Sequence, residues 1–558
     1  MLTILLSALL SIVGVNDSTV TEALRQYSGK VLDDWKIPGM SVSVVKDGEL
    51  IFNQGFGVKR LGKSDRVDEH TLFHVGSISK SFTATVMASI VDEGLLGWDD
   101  RVKDILPDFD WADDDVEQRM LVRDLFTHAT GLCPQVGTYI ANLGYDRNDI
   151  YQMFRFMKPI YSFRSQFGYN NITFIIAARI IEKVTGMSWE ENIRMRVFAP
   201  LGMNESCIGG EEYEAAGERA SCAHAFHYRR GKDGNDGIRT FPLDGEDRAL
   251  WWVSVIGPAG SVCSTSSDMA KYVSCHLENG KILPLGGEEN VPSGGQETLP
   301  SETGDLSDYF PGLVWRKQTL VGDRIFSPEQ MEFLHTGSTF VSGDSTFTKR
   351  YGYCWYVQEN KDFNEIYHTG TTWGFTALCG FVPELNLGYA ILCNSEVTQR
   401  ARFALSKEIV DLFFALRDGN DISSVGDCSG KALKNWYSLC RNGGGGSGRK
   451  VPMIIKRSKV KPDFSTLTGH YTKDAPFGDA EVTLENGKLF MKIGPKGWKH
   501  PLRHTSGNQF LMDSQGHTFP VYFHGYENSS GDVDFEIDFN YNENFGPWTR
   551  NSFKTGSK

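Results

Sequence analysis

The chain has 558 residues, 40% of them hydrophobic and 23% charged, with a formal net charge of −13. That length exceeds what one small core organises and sets an expectation of two domains. The acidic balance argues against nucleic acid or an anionic membrane surface as a partner.

The opening run, Met1 to Val15, is apolar but short for a bilayer span. It reads as a secretory leader over residues 1–16, although no basic segment precedes it. No later stretch reads as a transmembrane helix. Ten cysteines permit disulfides in an exported chain. Cys428 and Cys440, read as bracketing a short polar loop, are the expected pair. Cys354, Cys379 and Cys393 lie in strand-like apolar context and read as buried thiols. No Cys/His cluster has zinc spacing, so no metal or cofactor is expected. Acceptor triplets at Asn16, Asn204 and Asn528 fit a secreted or extracytoplasmic location.

Thr19 to Trp35 has helical spacing, with Val20, Leu24, Tyr27, Val31 and Leu32 on one side. Met40–Val45 and Glu49–Val58 read as a hairpin turning at Lys46-Asp47-Gly48. Ser77 then opens an apolar helix whose first turn brings Lys80 to the same face. A serine hydroxyl is inert until a neighbour takes its proton, and an amine one turn away can do so. A Ser-x-x-Lys spacing also occurs at Ser43, Ser447 and Ser458, but only Ser77 starts an apolar helix. An ordinary N-cap is the structural alternative.

Leu121–Thr127 reads as helical and stops at His128-Ala129-Thr130-Gly131. Ile172–Thr185 and Trp189 to about Phe198 read as helices, with Gly186 closing the first. Ser267-Asp268 caps a helix to Leu277, and Leu283–Asp308 reads as a surface insertion. Ile366–His368, Phe375–Phe381 and Leu387–Cys393 read as strands of one antiparallel sheet, followed by a helix from about Arg400 to Leu416. Gly443–Gly448 lies in a flexible linker region, 421–460. From 461 to 558 short strands alternate with turns, the pattern of a small all-β domain.

Three elements stand in order: Ser77-x-x-Lys80, Tyr169-Asn170-Asn171 and His368-Thr369-Gly370. With Leu125–Leu132, Pro258-Ala259-Gly260 and Gly374-Phe375, this order resembles the penicillin-recognising serine hydrolases, over about Thr19 to Leu416. That family includes class C β-lactamases, D-alanyl-D-alanine peptidases, D-aminopeptidases and esterases. The resemblance implies an α+β fold: a β-lactamase-like antiparallel sheet flanked by helices, with an all-helical subdomain, over 17–420. It also implies that the C-terminal all-β domain is lipocalin-like. Its roles carry over as Ser77 the acylated nucleophile, Lys80 the holder of its proton and Tyr169 the general base. Asn171 would orient Lys80 or the substrate amide. Ser77 and Thr371 backbone N–H groups would form the oxyanion hole. His368, Thr369 and Gly370 would line the cleft, and Trp373 would wall it.

The implied substrate is a small molecule or short peptide; assembly into homo-oligomers is left open. A non-catalytic binding protein on the same fold, or a true β-lactamase or D-Ala-D-Ala peptidase, is the competing reading. A second His-Thr-Gly at His335 and a Lys-Thr-Gly at Lys554 lack the strand hairpin that follows His368. Many relatives of this class carry lysine where His368 stands. A histidine of ordinary pKa, about 6.5, would be cationic only in acid, so recognition of a substrate carboxylate should fade as pH rises.

Overall fold

The structure is a computed structural model that describes residues 17–229, 237–243, 247–285, 323–396, 399–441, 463–472, 479–506, 509–514, 517–527, 533–539 and 548–550. The expected leader, most of the 283–308 insertion, the Gly443–Gly448 linker and Lys554 lie outside these residues. By its contacts the chain divides into two compact units, one of 1–100, 177–244 and 257–448, the other of 101–176, 245–256 and 449–558.

The first unit is built on an eight-stranded sheet. Strands β1 (Gly39–Lys46) and β2 (Glu49–Gly57) form the expected hairpin. Asp47 and Gly48 both take positive φ in its two-residue turn, the geometry that matches the twist of a tight hairpin. Next in the chain come β3 (Phe73–His74), β4 (Cys207–Ile208), β5 (His224–Arg229), β6 (Gly237–Pro242) and β7 (Val262–Ser264). The later strands are β8 (Thr339–Gly343), β9 (Phe347–Tyr351), β10 (Tyr356–Asn360), β11 (Asn364–Thr372), β12 (Phe375–Val382) and β13 (Leu387–Cys393). The large sheet runs β2-β1-β13-β12-β11-β10-β9-β8, antiparallel throughout.

Strands β12 and β13 are buried at every position, which explains sequences that are apolar but for Thr376, whose hydroxyl donates to Ser395 O at 2.9 Å. Helices Asp17–Trp35 and Gln399–Arg417 share a core with this sheet through Leu24, Val31, Trp35, Leu405, Ile409 and Leu412. Helix Ser266–Leu277 packs on the same strands with Ala270 against Val45. Its N-cap is Thr265, two to three residues before the Ser267-Asp268 read from sequence, and its hydroxyl accepts from Asp268 N at 3.1 Å. A smaller sheet, β3-β7-β4, lies where the chain enters the Ser77 turn.

Three other expectations change. The Trp189 helix is α-helical only to Ile193 and widens to a π-turn over Arg194–Phe198. There the buried Arg196 meets Glu93 at 2.9 Å and Asn192 Oδ1 at 3.1 Å. Cys428 and Cys440 do not bracket a loop; both lie in one helix, Cys428–Arg441. Twelve helical steps separate their Cα atoms by roughly 18 Å. A disulfide needs about 4.4–6.8 Å. Cys354 is buried as expected, but it sits in a bend at φ 71 rather than in a strand.

The start of the Cys428–Arg441 helix rests on the buried Glu408, whose Oε1 accepts from Cys428 N at 2.9 Å and Ser429 N at 3.1 Å. Burial raises this carboxyl to about 7.

In the second unit, short helical turns fill 101–176, and a closed barrel follows. Its strands are β14 (Gly469–Thr472), β15 (Ala480–Glu485), β16 (Lys488–Ile493), β17 (Lys499–Ser506), β18 (Gln509–Ser514), β19 (His517–Glu527), β20 (Val533–Phe539) and β21 (Trp548–Arg550). Pairing of β14 with β21 closes it. Leu489, Met491 and Ile493 alternate inward along β16. The turn after β16 packs on the helical part of its unit. Lys496 Nζ stands 3.2 Å from the Trp251 ring centroid, and a Cβ added at Gly494 would fall 2.0 Å from Leu143 O.

Two outcomes follow from these contacts. After a protease nicks the 443–448 linker, the barrel should stay with the rest of the chain on gel filtration, while Gly494→Val should release it; a nicked wild type that separates contradicts the docking. Glu408 has a folded pKa above its ordinary 4.5, so its contribution is full below that value and fades as pH rises through about 7. Glu408→Gln should therefore gain Tm over wild type on going from pH 5 to pH 8; an equal difference at both values contradicts the assignment.

Candidate active site

Ser77 sits in a single 3-10 turn, Gly76–Ile78, and the α-helix begins only at Ser79, running to Asp92. Nearly every side chain of that helix is buried, so it is a central element and not an amphipathic surface one. The turn is tied to β7 by hydrogen bonds from Val75 N to Val262 O, 3.0 Å, and from Val262 N to Ser79 Oγ, 2.9 Å. Ser79 Oγ in turn donates to Gly76 O at 2.7 Å. Between Thr71 and Lys80 every residue is buried except Ser77, which is half-buried. The fold thus offers one hydroxyl to its surroundings and uses the neighbouring one, Ser79, as a brace.

Lys80 Nζ donates to Ser77 Oγ at 3.0 Å and to Ala259 O at 2.9 Å. Its side chain is fully buried. Removing an ammonium from water disfavours the charged form, and burial pushes Lys80 down to about 7. An amine shifted this far can take up a proton near neutrality, one hydrogen bond from the serine.

Strand β11 crosses beside the turn. A Cβ added at Gly370 would lie 1.7 Å from Val75 O and 3.1 Å from Ser77 N. One added at Gly76, at φ 56, would lie 2.6 Å from Thr371 N. These two glycines let the strand backbone and the serine turn touch, as a pair of convergent N–H donors requires. Behind the strand, buried Arg402 donates from Nη1 to Gly370 O at 2.8 Å and also to Ala377 O. Alternation along β11 leaves Thr369 half-buried and Thr371 exposed, and buries His368, Gly370 and Thr372. Trp373, just beyond, is half-buried.

That alternation corrects the expectation for His368. Its imidazole does not stand open on a cleft wall: it is fully buried, with Nε2 3.0 Å from Tyr351 Oη and Nδ1 2.8 Å from Thr369 O. Burial, with the Lys80 charge adding to it, pushes the ring down to about 3. It is neutral across the working pH range, so the fading of charge expected near pH 6.5 does not occur. His335 ends a helix, Pro328–Leu334, and bonds His276 Nδ1 at 3.1 Å, remote in kind from a strand motif.

Tyr169, Asn170 and Asn171 belong to the second unit. The Tyr169 ring packs 4.2 Å from the His128 ring, centroid to centroid. His128, at φ 56, is a structural histidine: it receives Asn170 N on Nδ1 at 3.2 Å, and its carbonyl receives Gly168 N at 2.7 Å. Gln135 N donates to Tyr169 O at 2.8 Å. Asn170 Oδ1 accepts from Ile172 N at 2.9 Å ahead of helix Thr173–Thr185. Asn171 is buried and donates to Gln135 Oε1 and Thr138 Oγ1, both 3.0 Å, so its amide is committed inside the fold and not offered to glycosylation.

Sequence reasoning missed Gln135, Thr138, Tyr351 and Arg402. Only Arg402 left a signal: it falls with Leu405, Ile409 and Leu412 on the apolar stripe of its helix, where a charge needs a reason. The others are single polar residues in turns or at a strand end, without periodicity. Among the described residues no group of three or more His, Cys, Asp or Glu is placed to hold a metal ion.

A family model described as Beta-lactamase matches residues 24–412. The chain is 24% identical over 398 residues to an unguisins hydrolase of Aspergillus campestris, covering 70% of this chain and 63% of that protein. It is 30% identical over 252 residues to penicillin-binding protein 4 of Amycolatopsis lactamdurans, covering 44% of this chain and 60% of that one. The chain thus spans about three fifths of the length of these curated relatives. A beta-lactamase of Escherichia coli matches at 24% identity, over 70% of this chain and 93% of its own. Among solved structures, an octameric penicillin-binding protein homologue from Pyrococcus abyssi matches with a TM-score of 0.53 and 20% identity, covering 94% of this chain and 99% of that one. That likeness extends to the fold. With the family model matched across most of its length, the chain belongs to the beta-lactamase family of serine hydrolases and penicillin-binding proteins.

Proposed function

We propose that the chain is a serine hydrolase that works through an acyl-enzyme on Ser77 and cleaves ester or amide bonds of small molecules or short peptides. The observation that carries this reading is the buried Lys80 amine, at about 7, hydrogen-bonded to Ser77 Oγ at 3.0 Å. Ser77 Oγ attacks the substrate carbonyl carbon while its proton passes to neutral Lys80, with the Tyr169 side chain sharing the role of base as the family resemblance implies. Charge then develops on the carbonyl oxygen, facing the N–H groups of Ser77 and Thr371. One such donor is typically worth about 2.7–4 kcal/mol of barrier. Collapse expels the leaving group, which takes the proton back. Water then repeats the attack on the acyl-Ser77 ester.

Neutral His368 supports the choice of substrate. Where a lysine would present a fixed charge to a carboxylate, this strand presents none at any working pH. The loss of one charge-assisted hydrogen bond is worth roughly 1.5–3 kcal/mol. The reading therefore favours esters and amides that lack the carboxylate, and poor hydrolysis of β-lactams. We further read the barrel as lipocalin-like and the protein as extracytoplasmic.

A fluorophosphonate probe should label wild type and fail on Ser77→Ala, while Ser79→Ala keeps the labelling if it folds; robust turnover of an ester by Ser77→Ala would exclude the Ser77 assignment, and a wild type that neither takes the label nor turns over an ester would favour a binding protein. In wild type, kcat/KM for a short-chain ester should exceed that for a chromogenic cephalosporin, with a ratio that stays flat between pH 5 and 8. A ratio that swings tenfold between pH 6 and 7 would mean that His368 titrates there and carries the specificity.

A further inference from the structure

Away from the reacting groups, the small sheet holds two thiols side by side. Antiparallel β4 and β7 place Cys207 directly opposite Cys263. Residues directly opposite share a face, so the two thiol side chains are neighbours across the strands. Gly209 N donates to Ser261 O at 2.9 Å, two residues further along each strand. Cys207 and Cys263 are therefore a pair of the wider, hydrogen-bonded kind, with Cα atoms about 5.5 Å apart. That lies within the roughly 4.4–6.8 Å a disulfide spans. The next pair along, Ser206 and Ser264, already brings its Oγ atoms to 2.8 Å, so the strands are not splayed here.

The surroundings differ on the two sides. Cys207 is half-buried, and Cys263 is fully buried with its Sγ 3.4 Å from His74 Nδ1. His74 packs in turn on Tyr213 and Phe375, with tilted rings at 4.2 and 5.0 Å between centroids. A reagent from solvent therefore reaches Cys207 and not Cys263. Burial lifts the Cys263 thiol well above its ordinary value, which keeps it inert until a sulfur is delivered next to it.

We propose that Cys207 and Cys263 form a reversible cross-strand disulfide, made and broken by exchange with a low-molecular-weight disulfide and its thiol. The Cys207 thiolate attacks one sulfur of the small disulfide, forming a mixed disulfide and releasing the first small thiolate. Cys263 then attacks the Cys207 sulfur, and the second small thiolate leaves with the Cys263 proton. Two cysteines are oxidised and one small disulfide is reduced to two thiols. The wider type of strand pair holds the Cβ atoms further apart than an unstrained bridge prefers, which makes the bond reducible rather than permanent. The bridge lies next to Val262, whose N–H and carbonyl fix the Ser77 turn.

The test is peptide mapping of the folded full chain after equilibration in oxidised and reduced glutathione at pH 8, with alkylation of free thiols. A 207–263 cross-linked peptide that appears at the oxidising end and disappears at the reducing end is expected, and Cys263→Ser should leave Cys207 as a glutathione mixed disulfide. The proposal is overturned if wild-type Cys207 carries only glutathione, stays free, or links instead to half-buried Cys222, whose thiol lies 3.1 Å from Arg60 Nη1. The wild-type map decides the matter even where the variant does not fold, and it is independent of any hydrolase activity.

Discussion

A lysine in the protein interior is tolerated only by giving up much of its charge, and the rest of the site depends on that constraint at Lys80. In the unfolded chain its amine is protonated up to about 10.5; in the fold the boundary drops to about 7. A shift of that size costs on the order of 5 kcal/mol of stability at neutral pH, fully expressed below the folded value and recovered only as pH rises toward the unfolded one. The fold offsets this with a core of long buried strands and a helix submerged on all sides. What it gains is an amine that can accept a proton from Ser77 near pH 7. A solvated lysine at the same distance would be charged and useless as a base.

The other features of the first unit serve that contact. Ser79 and Val262 brace the turn from one side, and β11 closes on it from the other through Gly76 and Gly370. Arg402 holds the Gly370 and Ala377 carbonyls from behind, so the strand cannot drift from the turn without stranding a buried guanidinium. In the second unit a separate network fixes the Tyr169 backbone and the Asn171 amide through His128, Gln135 and Thr138. The barrel shares that unit and docks its β16–β17 turn on Trp251 and Leu143. It is thereby attached to the helical region and not a pendant module.

Much of this was legible in the sequence, and the failures have physical causes. The β1–β2 hairpin announced itself by Asp-Gly between apolar runs, and strands β11 to β13 by their length and bounds. Ser77 and Lys80 could be singled out because an apolar run follows only that Ser-x-x-Lys. Helix ends were the weak point: the 3-10 turn at Gly76–Ile78 and the π-turn at Arg194–Phe198 answer to tertiary contacts that no local pattern encodes. The Cys428–Cys440 pairing failed because a polar segment was read as a loop, when its amphipathic face packs Trp436 against Trp35. His368 was found by motif, but its burial depends on Tyr351, a partner seventeen residues earlier on another strand.

The measurement that tests the central claim most directly is the pH dependence of the acylation rate, followed by intact mass under single-turnover conditions with an activated ester. The account predicts a rate that rises with pH through an apparent pKa near 7, as Lys80 loses its proton. A profile that is flat from pH 5.5 to 8.5, or one that falls through neutrality, would show that a neutral Lys80 amine is not what activates Ser77.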